Sequence, residues 1–187
     1  MKDGLPPDWP HKNEKGKAWA EEEKNLLIEA LEAAPQGILP KKLIGIYRAE
    51  KSRQFPNPAT SGVATDGTLE GFVVIYDSAF EKNQNLARIV IHEMSHQIYV
   101  ELSDDDQGSY HTVTNWFVEK DPKTEQTKGL AARLTGFVLD DGRDSPGEDF
   151  ANNVEFFLFE PKKLQEVTPH AHRWISEHFG DKFRLEA

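Results

Sequence analysis

The sequence predicts an α+β fold, and three stretches carry that reading. An apolar run through Leu86, Ala87, Ile89, Val90 and Ile91 leads into His92 and has the character of a buried helix. Gly71-Phe72-Val73-Val74-Ile75-Tyr76 is rich in β-branched and aromatic residues and is the clearest strand. Ser145-Pro146-Gly147-Glu148 opens a second helix, with proline at its first position, that runs to about Glu160 and stops before Pro161.

The remaining elements follow in chain order. Residues 1–16 read as an extended arm, because Pro6, Pro7 and Pro10 favour extended backbone. Lys17 to Ala34 reads as a helix with Trp19, Leu26, Leu27, Ala30 and Leu31 at helical spacing, ended by Pro35. Leu43 to Arg48 is a short strand. Ser52 to Thr68, rich in turn formers, is a loop or irregular hairpin. Asn83 to Glu101 is the helix that contains His92. Ser103 to Gly108, with Asp104, Asp105 and Asp106, reads as a solvated turn. Trp116, Phe117, Leu130, Leu134 and Phe137 are expected in the core, Asp140 to Pro146 in a turn, and His170 to Phe179 in a last helix.

Length and composition bound the function. The 187 residues suit one domain, 1–187, large enough to bury a core. A net charge of −10 argues against a nucleic-acid or anionic-membrane partner. With no cysteine there is neither a disulfide framework nor a thiolate metal site. No apolar run is long enough to span a membrane. Residues 1–17 lack the apolar core of a secretory signal, so the expectation is a cytoplasmic protein or one exported by a dedicated secretion system.

The chemistry sits in His92-Glu93-Met94-Ser95-His96. Residues four apart share a helix face, so His92 and His96 can place two imidazoles on one metal ion. Glu93 beside them can reach a water on that metal, which is the zinc-peptidase arrangement. With 7 His and 19 Glu, a random chain of this composition would show H-E-x-x-H about 0.03 times. The competing reading, two surface histidines on an amphipathic helix, does not account for the apolar lead-in.

Zinc needs a third protein ligand. A histidine six residues past His96 would complete one known extension, but that residue is Leu102, and the glycine expected at 99 is Tyr99. His111 is a second candidate. A carboxylate on the later helix is the third and strongest: Glu148, Asn152, Glu155 and Phe159 form one stripe, beside the apolar Phe150, Ala151, Val154, Phe157 and Leu158. Glutamate on such a helix is costly unless paired or bound to metal. Ser145-x-x-Glu148 also fits a capping box, in which the glutamate closes the helix.

His92-Glu93-Met94-Ser95-His96 followed by Ser145-Pro146-Gly147-Glu148-Asp149-Phe150-Ala151 resembles the gluzincin metallopeptidases, in particular anthrax lethal factor-like domains and bacterial toxin and secretion-effector metallopeptidases. The resemblance extends over roughly Leu43 to Phe179, including Phe156 to Pro161, Leu164 and Trp174 to Phe179, with Phe72 to Tyr76 as its edge strand. It implies Glu148 as the third ligand of one Zn²⁺, Glu93 as the base, and a zincin-like fold in which the H-E-x-x-H helix faces the carboxylate helix beside a small twisted sheet. It implies a protein or peptide substrate, pairing with the edge strand, and an immunity or carrier protein as a further partner. Two positions depart from the group. Asn152 replaces a glutamate that holds a ligand histidine by its other nitrogen. Asp141 replaces a tyrosine that steadies the oxyanion, and Arg143, Tyr110, His111 and His170 are the candidate substitutes. An exposed Asp141–Arg143 ion pair is the alternative for that turn. A zinc-binding module with little hydrolysis and an amidase acting on cell-wall peptides are the alternative functions.

Overall fold

The computed structural model describes residues 1–183 apart from 8, 12, 54, 55 and 65; the parts of the arm and of the Ser52–Thr68 loop that fall on those positions lie outside the described residues. The secondary structure is α+β: six α-helices, a three-stranded sheet and a two-stranded hairpin among the described residues. The chain folds as two compact units, Met1–Glu101 and Leu102–Arg184.

In the first unit, α1 (Glu21–Glu32) and α2 (Leu86–Glu101) accompany strands β1 (Leu43–Arg48), β2 (Ala59–Val63) and β3 (Gly71–Ile75). The order is β1-β3-β2, with β1 parallel and β2 antiparallel to β3. The strand expected at the edge is therefore the central one. Its five residues are all buried because both faces are covered, which is why the segment reads as a continuous apolar run rather than an alternation. Phe72, Val74 and Tyr76 join Tyr47 and Ala49 in a cluster with Trp9 and Leu5 of the arm, while α2 packs against β2 and β3. The Ser52–Thr68 stretch contributes β2, so it is the hairpin of its two alternatives. In α1, Leu27 and Ala30 are buried, but Leu26 is 48% exposed, and Trp19 is buried ahead of the first turn.

The two sheet margins differ. Along β1 the arm takes up the outward backbone groups: Lys2 N–H donates to Ile46 O (2.8 Å), Arg48 N–H to Gly4 O (3.2 Å), and Lys17 N–H to Arg48 O (2.9 Å). The arm is clasped by Glu14, itself buried, whose carboxylate accepts from Trp9 Nε1 (2.9 Å), the Tyr76 hydroxyl (3.0 Å) and Arg53 N–H (2.7 Å). Along β2 the ladder runs through Ala64 N–H to Glu70 O and Tyr76 N–H to Pro58 O. In an antiparallel pair this alternation turns the backbone groups of Ala59, Ser61 and Val63 outward, so β2 is the edge at which another chain could add.

A buried arginine ties the unit together. Arg48 donates to Glu23 (2.6 and 3.0 Å), to Asp77 (2.5 Å) and to the carbonyls of Ala49 and Ile75. The Arg48 hydrogen bond holds the Glu23 carboxyl below its ordinary value despite burial, with the Ala20 N–H helping.

The second unit contains α3 (Asp104–Val113), the hairpin β4 (Phe117–Lys120) and β5 (Thr127–Ala131), and α4 (Pro146–Phe159), α5 (Pro161–Val167) and α6 (Pro169–Phe179). The acidic triplet is the first turn of α3 rather than a loop. Ser103 caps the helix, accepting from Asp106 N–H (3.1 Å), and carboxylates at a helix N-terminus meet its positive dipole end. Trp116 is buried and Phe137 half-buried, but Phe117 (56% exposed) and Leu130 (39%) lie outside the core because the β4–β5 hairpin is exposed along both strands, and Leu134 (90%) sits in the bend that follows it.

Candidate metal centre

Helix α2 presents His92 and His96 one turn apart on one face. Val90, Ile91, Met94 and Ile98 seat the helix through its buried side, and Ser95 Oγ donates back to Ile91 O (2.7 Å). The two imidazoles are half-buried, with ring planes 78° apart and Nε2 atoms separated by 3.2 Å. Two nitrogens about 2.0–2.1 Å from one zinc at the tetrahedral angle stand about 3.3 Å apart, so the pair fits the first two corners of a zinc site. Glu93, next in sequence to His92, is 8% exposed.

Helix α4 carries the acidic side. Ser145 Oγ accepts from Glu148 N–H (3.0 Å), and Pro146 occupies the first turn, so the cap uses the backbone of Glu148. Its half-buried carboxylate is one of a set of three side chains, His92, His96 and Glu148, that could hold a metal ion. Imidazole, imidazole and carboxylate are the donor set of open, hydrolytic zinc sites.

Around Glu148 the second unit is strongly polar inside. Asp149 (1% exposed) accepts from both guanidinium nitrogens of Arg133 (2.7 and 2.9 Å), from Trp116 Nε1 (2.9 Å) and from Asn153 Nδ2 (3.1 Å). Arg133 also donates to the carbonyls of Thr114 and Gly136. The sequence reading missed this anchor: a carboxylate in the first turn of α4 was visible, but its arginine lies 16 residues upstream with no spacing signature.

The positions that depart from the resembled group are also placed. Asn152 Nδ2 donates to Asp141 Oδ1 (2.7 Å), while the buried Asn152 Oδ1 has no hydrogen-bond partner among the described residues. Asp141 therefore pairs with α4, and the partner of Arg143 is Asp140, at an exposed 3.8 Å, rather than Asp141. Tyr110 is fully buried, its hydroxyl accepting from Asn153 Nδ2 (2.7 Å) and its ring packed edge-on against Phe150 and Trp174, which removes it as a donor to an external substrate. His111, on α3, is half-buried, and burial pushes its pKa down; His170 is exposed in the first turn of α6. Tyr99 and Leu102 are half-buried at and just past the end of α2.

Among the described residues no helix is long and apolar enough to cross a membrane. The chain matches no family model, no curated protein and no solved structure.

Proposed function

We propose that the chain is a zinc-dependent metallopeptidase of the zincin type, with His92, His96 and Glu148 as the metal ligands. The observation that carries the reading is the 3.2 Å separation of the two Nε2 atoms on α2, with Glu93 next in the chain and Glu148 as the carboxylate of the ligand set. When bound, zinc supplies Lewis acidity, which polarises a carbonyl and acidifies water.

The chain's own residues do the rest. His92 and His96 orient the site, and the helical backbone fixes their spacing. Glu93 takes a proton from the attacking water and delivers it to the leaving amine; its low exposure limits competition from bulk water. The unpaired Asn152 Oδ1 is the acceptor that the resemblance assigns to the second ring nitrogen of a ligand histidine. An extended peptide substrate pairs along the open margin of β2.

Metal analysis tests the ligand set. Wild type should carry one zinc per chain, and His92→Ala, His96→Ala and Glu148→Ala should lose it. Stoichiometric zinc in both histidine variants would overturn the proposal. Glu93→Gln should keep the zinc and the melting temperature while peptide hydrolysis falls by at least about 10²-fold; loss of zinc in that variant would make Glu93 a ligand instead of the base.

A second reading, a zinc-binding module with little turnover, is favoured by one observation. Asp141 stands where the resembled group has its oxyanion tyrosine, and Tyr110 is buried. Stoichiometric zinc without hydrolysis across a peptide library would select it.

A further inference from the structure

A cavity of about 330 Å³ opens on the arm-covered face of the sheet, wholly within the first unit and beside the open margin of β2. Its apolar walls are Pro6, Trp9, Ile44 and Phe72, and its acidic residues are Asp66 and Glu70. Position 62 is glycine where the Phe72 ring approaches β2: a Cβ there would lie 2.6 Å from that ring. Trp9 meets Phe72 edge-on, with ring centroids 5.5 Å apart.

The Asp66 carboxylate and the backbone of Glu70 are held in place. Asp66 Oδ1 accepts from the Thr68 N–H (3.0 Å) and hydroxyl (2.6 Å), and Thr68 Oγ1 in turn accepts from Glu70 N–H (3.3 Å). The nearby Lys42 ammonium donates to the Thr68 carbonyl (3.1 Å). Both carboxylates are exposed at the cavity.

An aromatic and aliphatic wall with carboxylates at its rim suits a side chain with an apolar stem and a cationic head. Lysine and arginine bury their methylenes and keep the charge at the surface, and their heads gain from both aromatic faces and carboxylates. We propose that this cavity seats a lysine or arginine side chain of an extended polypeptide lying along the outer edge of β2. The selection of a basic residue rests on the peptidase reading only in making that polypeptide a substrate; the binding itself needs no metal.

The test is calorimetric titration of the full chain, in chelator so that the probe persists, with the capped peptide Ac-Thr-Val-Arg-Val-Thr-NH2 and its norleucine and glutamate counterparts at the arginine. The arginine peptide should bind about three- to tenfold more tightly than the norleucine peptide, the range set by one exposed ion pair and one cation–aromatic contact. Asp66→Asn with Glu70→Gln should cut that difference to the part the cation–aromatic contact supplies, while leaving norleucine binding unchanged. Amide spectra should shift at Ser61, Val63 and the Trp9 indole. Equal binding of the arginine and norleucine peptides, retention of the full preference in the double variant, or no binding of the arginine peptide at millimolar concentration would each overturn the proposal. Because metal is absent throughout, none of these outcomes bears on the zinc ligands, and loss of zinc binding in the histidine variants would leave the cavity proposal standing.

Discussion

Helices α2 and α4 both bury polar side chains, yet they satisfy them in opposite ways. On α2, Ser95 bonds the carbonyl one turn back and Gln97 Nε2 reaches the adjacent strand at Gly62 O (3.0 Å). On α4, Asp149, Asn152 and Asn153 depend on Arg133, Trp116, Asp141 and Tyr110, and two buried amide oxygens, Asn152 Oδ1 and Asn153 Oδ1, find no partner. The first unit keeps its long-range polar node away from α2, at Arg48. One helix is thus placed by its own periodicity and apolar contacts, and the other by a network assembled from distant segments.

Removing the anchor of that network should have the largest effect. Asp149→Ala leaves the Arg133 guanidinium, 11% exposed, without its carboxylate, and breaking a buried pair from one side costs about 3–5 kcal/mol. Urea unfolding should show that loss. A cost below about 1 kcal/mol would mean that α4 is held by packing, like α2, and the contrast would fail.

Asn152→Asp sharpens it further by setting a second carboxylate against Asp141. Two carboxylates sharing a site raise one pKa, so as pH falls the folded variant takes up a proton before the unfolded chain does. Its stability deficit, about 1–3 kcal/mol for a shift of one or two pKa units, should be widest near pH 7 and should close as pH falls. A deficit independent of pH would separate Asn152 from Asp141.

On α2 the expected effect is smaller. Gln97→Ala removes one hydrogen bond to Gly62 O, worth about 1 kcal/mol, and should leave zinc binding unchanged. Loss of zinc in this variant would show that the strand contact, and not helical spacing alone, sets the histidine pair.

The Arg48 node is tested by the shape of a pH profile. The folded Glu23 pKa is held below its ordinary value of 4.5, so its stabilising contribution is complete above that value and is lost as pH falls through the folded pKa. Glu23→Gln should flatten the acid limb of a stability–pH profile below about pH 4.5; an unchanged limb would place the acid sensitivity elsewhere.

Legibility in the sequence follows the same division. His92, Glu93 and His96 could be read because their relation is intrahelical, and the cap at Ser145 because it is local. The strand at Gly71 was legible as a strand but not as the central one: a run buried on both faces, with Val73 and Ile75 on one side and Phe72 and Val74 on the other, is the mark of an inner position. The acidic triplet was misread because Asp104 to Asp106 suggests solvation, whereas the preceding Ser103 makes the same residues a favourable first turn. Phe117, Leu130 and Leu134 were assigned to the core on hydrophobicity, and the exposed hairpin and the bend after it left them outside. The partners of Asp149 and Asn152 could not be read, since no local rule links residue 149 to 133 or residue 152 to 141.

The clasp at Glu14 has a practical consequence. One carboxylate holds Trp9, Tyr76 and Arg53 together, so the arm behaves as a single latch that is shut or undone as a whole. A protease cut before Glu14, or a bulky tag forced in ahead of Lys2, would free the backbone groups of β1 beside the already open margin of β2. A molecule with one adhesive margin would then have two, and copies that could meet only in pairs could join end to end into filaments.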